Sequence, residues 1–243
     1  MPHNSPIHPT TDTPTGQTTL VAREYHLGLR DRLVAMVDKV RHPASRFERY
    51  MEAWKGIPGW LSASQAKRLF DLAQTVQADG DVVEIGSAFG RSAIPLALGT
   101  RCFGRGRLFC IDPHTGGIGL HEEYGDLAKS FSSLGSFLEN VVRFELQNVI
   151  VPMVLPSEEA AKVWNDKPIR LLFVDGWHSY EACQRDIFQW GRFVAPGGVM
   201  VVHDYDWKEV RRAVDESIPQ LGGFGEVTSP DQNMAIVHRR NAA

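Results

Sequence analysis

Two periodicities divide the chain. From Asp81 onward, short apolar runs alternate with longer stretches in which apolar residues return every three or four positions. The runs Val82–Ile85, Arg107–Ile111, Val149–Val154, Ile169–Val174 and Val199–Val202 predict strands. The stretches Arg91–Leu98, Glu158–Val163, Tyr180–Phe193 and Trp207–Ser217 predict helices, with another inside Phe131–Phe144. Two last strands are expected near Phe224–Val227 and Met234–His238, joined by a short polar loop that suits an antiparallel edge. Strands alternating with helices imply an α/β architecture: a doubly wound, mostly parallel, seven-stranded sheet covered on both faces.

The first third reads differently. Leu29, Leu33, Met36, Val37 and Val40 recur at helical spacing, and a further turn or two is expected at Arg46–Trp54. Gly56-Ile57-Pro58-Gly59 is a turn, after which Ser62 or Ser64 caps a helix running to about Val76. Residues 1–19, rich in Thr, Pro and His, are expected to be a disordered arm. The expected organisation is this arm, a helical N-terminal extension over 20–78, and a main domain over 79–243.

Composition narrows the function classes. The chain has 243 residues, 43% hydrophobic, enough for one α/β domain with a modest extension. A formal net charge of -3 gives no bulk attraction to nucleic acid or acidic membranes. Cys102, Cys110 and Cys183 have neither metal-site nor disulfide spacing. With no apolar run long enough to span a bilayer and no basic-then-apolar leader, the expectation is a cytoplasmic protein. Homo-oligomerisation is left open.

Chemistry-bearing residues gather at strand ends. Glu84-Ile85-Gly86-Ser87-Ala88-Phe89-Gly90-Arg91-Ser92 is a strand end, a glycine turn and a helix start. Its glycines are spaced G-x-x-x-G, with Ala88 where a dinucleotide fingerprint has its second glycine, so the turn suits a nucleoside cofactor without a pyrophosphate. Glu84 can hold an ammonium group or structure the turn, and Asp112, at the end of the next strand, can accept from a ribose diol. Asp175 ends the fourth strand, and His203-Asp204 ends the fifth. In a doubly wound sheet those ends are neighbours at the ligand crevice, where two carboxylates can hold a hard cation such as magnesium. His178 lies three residues beyond Asp175, within reach of the same spot.

The turn resembles the first motif of class I S-adenosylmethionine-dependent methyltransferases. Leu172-Phe173-Val174-Asp175-Gly176-Trp177-His178-Ser179-Tyr180-Glu181, and Ala195-Pro196-Gly197-Gly198 followed by Val202-His203-Asp204-Tyr205, are similar to the branch of metal-dependent O-methyltransferases acting on sugars of natural products such as macrolides. The similarity covers about Gly59 to Asp206. It implies that Glu84, Gly86, Ser87, Phe89, Gly90 and Ser92 serve the methionine part of S-adenosylmethionine, with Asp175 also at the cofactor. Asp112 would serve the ribose and Ser157, beside Glu158, the adenine side. It further implies that Asp175 and Asp204, joined by His203, hold Mg2+ or Mn2+, and that His178 takes the proton of a small-molecule hydroxyl acceptor, a sugar or natural-product glycoside.

Alternatives stay open at this point. His203 stands where several relatives have an acid, so it could be the base and His178 only shape the pocket. A catechol-type O-methyltransferase is the nearest rival, although those enzymes carry a lysine near the position of His178. A non-catalytic metabolite-binding protein on the same fold is a second. A nicotinamide dehydrogenase is disfavoured by the missing fingerprint glycine. Trp177 and Tyr180 are candidates for the acceptor pocket, and the loop Thr115–Tyr124 for a lid.

Overall fold

The computed structural model describes residues 46–116 and 132–241. The arm, the helical pattern over 20–40 and all of the candidate lid beyond Gly116 lie outside the described residues. The chain begins with two helices, α1 (Arg46–Lys55) and α2 (Ala63–Thr75). Ser62 caps α2 as a full capping box: its hydroxyl accepts from Gln65 N, and the Gln65 side chain accepts from Ser62 N. There follow β1 (Asp81–Ile85), α3 (Ala93–Phe103), β2 (Leu108–Ile111), α4 (Leu134–Arg143), β3 (Ile150–Met153), α5 (Ser157–Lys162), β4 (Ile169–Val174), α6 (Tyr180–Gly191), β5 (Val194–Val202), α7 (Lys208–Leu221) and β6 (Ala235–His238).

One sheet holds these strands in the order β3-β2-β1-β4-β5-β6, all parallel except β6, which runs antiparallel to β5. The order reverses between β1 and β4, and that switch point opens the crevice in which ligands bind in such sheets. Burial on both faces follows the two-residue period of the strands. Val82, Leu171, Phe173, Val199 and Val201 pack with Leu69, Phe70, Ile94 and Phe137 on one face. Val83, Ile85, Leu172, Val174 and Met200 pack with Ile187, Trp190, Val210 and Val214 on the other.

The sheet has six strands among the described residues, not the seven expected. The segment near Phe224–Val227 makes only isolated bridges, Phe224 with Arg239 and Thr228 with Ile236. Those two pairings differ in register by one residue, so no continuous ladder forms. β5 starts earlier than expected because Pro196-Gly197-Gly198 is absorbed as an irregularity inside the strand, its register against β4 shifting between Ile169 and Leu171.

α1 and α2 are fastened to the start of α3 by Arg91. Its guanidinium donates to the carbonyls of Leu61 (2.8 Å) and Ile57 and lies 4.3 Å from the Trp54 ring centroid, while Trp54 Nε1 donates to Arg91 O at 2.7 Å. Wholly buried Arg170 donates to Ala73 O (2.8 Å), satisfying a carbonyl that the end of α2 would leave open.

Candidate active site

A cavity of about 770 Å³ lies at the carboxyl ends of β1, β2, β4 and β5, within the size range of small-molecule sites. Its walls bring together Gly86, Ala88, Asp112, Ser157, Asp175, His178, His203 and Asp204, with Trp60 and Leu61 from the α1–α2 connection.

The turn after β1 works through backbone geometry. Gly86 has φ 87°, and a Cβ there would sit 1.9 Å from the carbonyl oxygen of Asp175, so only glycine lets β1 and β4 end this close together. Ala88 is also left-handed, at φ 42°, and its N–H donates to Asp112 Oδ2 at 2.8 Å. His114 N donates to Asp112 Oδ1 at 2.6 Å. Each Asp112 oxygen thus keeps a lone pair for a donor in the cavity, as a ribose diol requires.

Five of the expected cofactor residues sit elsewhere. Glu84, Ser87, Phe89, Gly90 and Ser92 do not line the cavity, and all five are buried. The period of the strand explains Glu84: it shares a face with Val82, beneath the turn. Burial pushes its carboxyl up to about 7, against the opposing pull of the Ser92 and Ser87 hydroxyls. The unfolded chain, at its ordinary value near 4.5, ionises first as pH rises, so this group costs stability progressively between about pH 4.5 and 7. Glu84→Gln is therefore expected to gain on the parent protein across that window, by about 3 kcal/mol at pH 8. Urea melts at pH 5.5 and 8 check this; a difference that does not grow with pH contradicts it.

At the other side of the cavity, four groups interlock. His178 Nε2 lies 2.7 Å from Asp204 Oδ2 and 3.9 Å from Asp175 Oδ1. His203 Nδ1 lies 3.1 Å from Asp175 Oδ1 and 3.3 Å from Asp204 Oδ2. Burial alone would lower both imidazoles, but the two carboxylates outweigh it and raise His178 to about 9 and His203 to about 10. Burial works against the Asp204 carboxylate too, yet the histidines hold it well below the usual range.

Two carboxylates lie side by side here, and their charge favours the protonated form of both imidazoles. Asp175, His178 and Asp204 offer ligand atoms within 4.8 Å of one another. Two carboxylate oxygens and an imidazole suit Mg2+ or Mn2+, so the residues present fit such an ion. The expected trio was Asp175, His203 and Asp204. The atoms grouped closely enough for an ion are those of Asp175, His178 and Asp204; His203, 5% exposed, also lines the cavity and bridges the two acids through Nδ1, while His178 is the more open of the two.

A family model described as a methyltransferase domain matches residues 83–205, just over half of the chain. The chain belongs to this methyltransferase-domain family. Solved structures agree on the fold. The cofactor-bound protein Rv0187 from MTB is 22% identical, covering 87% of this chain and 97% of that one, with a TM-score of 0.57. The O-methyltransferase NovP is 18% identical, covering 73% and 80%, with a TM-score of 0.60. The O-methyltransferase TomG from Streptomyces achromogenes, involved in tomaymycin synthesis and in complex with SAM, is 18% identical, covering 86% and 95%, with a TM-score of 0.56.

Sequence reasoning missed several walls of the methyltransferase cavity. Trp60 and Leu61 arrive from an N-terminal loop, Ser133 from the start of α4, and Asp186 from mid-α6. Asp186 is buried and accepts from Ser157 Oγ at 2.5 Å; burial raises it to about 6 although that hydroxyl pulls it down. An acid on the otherwise apolar face of α6, one turn from Ala182 and Cys183, was the available signal. Of the six tryptophans, Trp54, Trp164 and Trp190 are in the core, and Trp60, Trp177 and Trp207 are about half exposed or more and all line this cavity. No helix among the described residues is long and apolar enough to cross a membrane.

Proposed function

We propose that this methyltransferase transfers the methyl group of S-adenosylmethionine to a hydroxyl of a small molecule, a sugar or natural-product glycoside, with the assistance of a divalent cation. The observation that carries this reading is the single cavity joining Asp112 and the Gly86 turn to the Asp175–His178–Asp204 cluster. S-adenosylmethionine brings a methyl group already activated on sulfur, and a divalent cation lowers the pKa of an acceptor hydroxyl.

The protein's own residues would divide the remaining tasks. The Gly86 turn and Asp112 would orient the cofactor, Asp112 through the lone pairs it has left. Asp175 and Asp204 would hold the cation, and His203 would fix both carboxylates. His178 is the more open of the two cavity-lining imidazoles, and it would accept the acceptor's proton. The two carboxylates raise its pKa to about 9 against the effect of burial, and a cation between them would oppose that rise. Trp60, Trp177 and Trp207 offer flat apolar surface of the kind sugar rings and aromatic rings pack against. Trp207 is tilted over His178 at 4.9 Å between ring centroids, so a ring resting on it would bring its hydroxyls beside the imidazole.

Saturable heat on adding S-adenosylhomocysteine is the first expected result, and its absence at millimolar ligand would contradict the cofactor. Asp204→Asn is expected to raise the metal concentration for half-maximal turnover by about tenfold or more. Turnover that ignores both this substitution and a chelator would remove the cation from the account.

A further inference from the structure

Asn233 lies in the loop before β6, far in sequence from every motif, yet it touches the active-site cluster. Its Nδ2 donates to Asp204 Oδ1 at 3.3 Å and to Asp206 Oδ1 at 2.7 Å. Its Oδ1 accepts from Gln65 Nε2 at 2.6 Å, and its backbone carbonyl accepts from Tyr205 N at 2.7 Å. The two acids accept only and Gln65 Nε2 donates only, so the orientation of the amide is fixed by its partners.

Asp204 has a reason to need such a holder. It adopts φ 53°, a left-handed conformation that a residue with a Cβ takes at a cost. The two histidines grip its Oδ2 from one side, and only Asn233 among the described hydrogen bonds reaches its Oδ1. The network continues outward. Gln65 is buried, its Oε1 is bonded to Ser62 N, and Ser62 directly follows the cavity-lining Trp60 and Leu61. One chain of contacts thus runs from the acceptor wall through Ser62, Gln65 and Asn233 to the carboxylate.

We infer that Asn233 is a positioning residue that aims Asp204 at the cation and sets it in register with the Trp60–Leu61 wall, through its hydrogen bonds to Asp204, Tyr205 and Gln65. The inference rests on the cation reading above. Such outer partners of metal-binding carboxylates commonly matter to affinity by one to two orders of magnitude.

The test uses the full chain with two probes, Mn2+ followed by electron paramagnetic resonance and S-adenosylhomocysteine followed by calorimetry. Asn233→Ala is expected to weaken Mn2+ binding by roughly 10- to 100-fold while the nucleoside affinity changes by less than about twofold. Gln65→Leu leaves Asp204 its donor but frees the amide to turn, so a smaller loss of Mn2+ affinity in the same direction is expected; it carries the test if Asn233→Ala does not fold. Mn2+ affinity unchanged in the folded variants overturns the inference alone. So does an equal fall in both affinities, the mark of a merely structural residue. A parent protein that binds the nucleoside but no Mn2+ overturns the cation reading, and this inference with it.

Discussion

His178→Ala is expected to lower turnover by roughly a hundredfold or more while leaving S-adenosylhomocysteine affinity nearly intact. The imidazole stands 2.7 Å from Asp204, and it is absent from the turn and the Asp112 wall that would meet the cofactor. On the proposed reading, truncation removes the proton acceptor without disturbing nucleoside contacts. The substitution also removes a partner of the Asp204 carboxylate, and the Mn2+ affinity of the variant separates two roles for the same side chain. Affinity that holds identifies a proton acceptor; affinity that falls along with turnover identifies a ligand. Turnover at the parental level, measured as S-adenosylhomocysteine released with a glycoside acceptor, would exclude His178 from the chemistry.

Gly86→Ala is expected to cost more than about 4 kcal/mol and to abolish nucleoside binding in whatever fraction remains folded. The added methyl would lie 1.9 Å from the Asp175 carbonyl oxygen and 2.6 Å from its carbon, and neither belongs to a flexible side chain that could swing away. The φ of 87° adds strain that alanine bears poorly. Relief would require β1 and β4 to part at the ends where the cavity forms, displacing Asp175 from its partners. Thermal melting and calorimetry read the two consequences. A variant that melts within a few degrees of the parent and binds the nucleoside normally would show that the contact between strand ends is not needed.

The sheet was largely legible because its signals are local. Val82–Ile85 and Ile169–Val174 are apolar runs bounded by turn chemistry, and both are buried strands. The strand-end positions of Asp112, Asp175 and Asp204 followed from the runs they terminate. What stayed illegible depends on long-range packing or on a single side chain's direction. Gln65 and Asn233 are 168 residues apart, and no local pattern pairs them. Trp60 reaches the cavity from a loop that Arg91, 30 residues from Leu61 in sequence, bonds on both sides of that tryptophan. Glu84 was expected at the ligand, but its parity along β1 places it under the turn. His178 and His203 carry the same chemistry in the sequence. Only burial and distance distinguish the more open His178 from the nearly buried His203.

Anomalous diffraction from a crystal grown with S-adenosylhomocysteine and Mn2+ is the decisive measurement. One manganese peak is expected between the Asp175 and Asp204 carboxylates, with the nucleoside's ribose on Asp112 in the same cavity. A nucleoside bound at Asp112 with no manganese between those carboxylates, or manganese bound elsewhere, would contradict the proposed cation site.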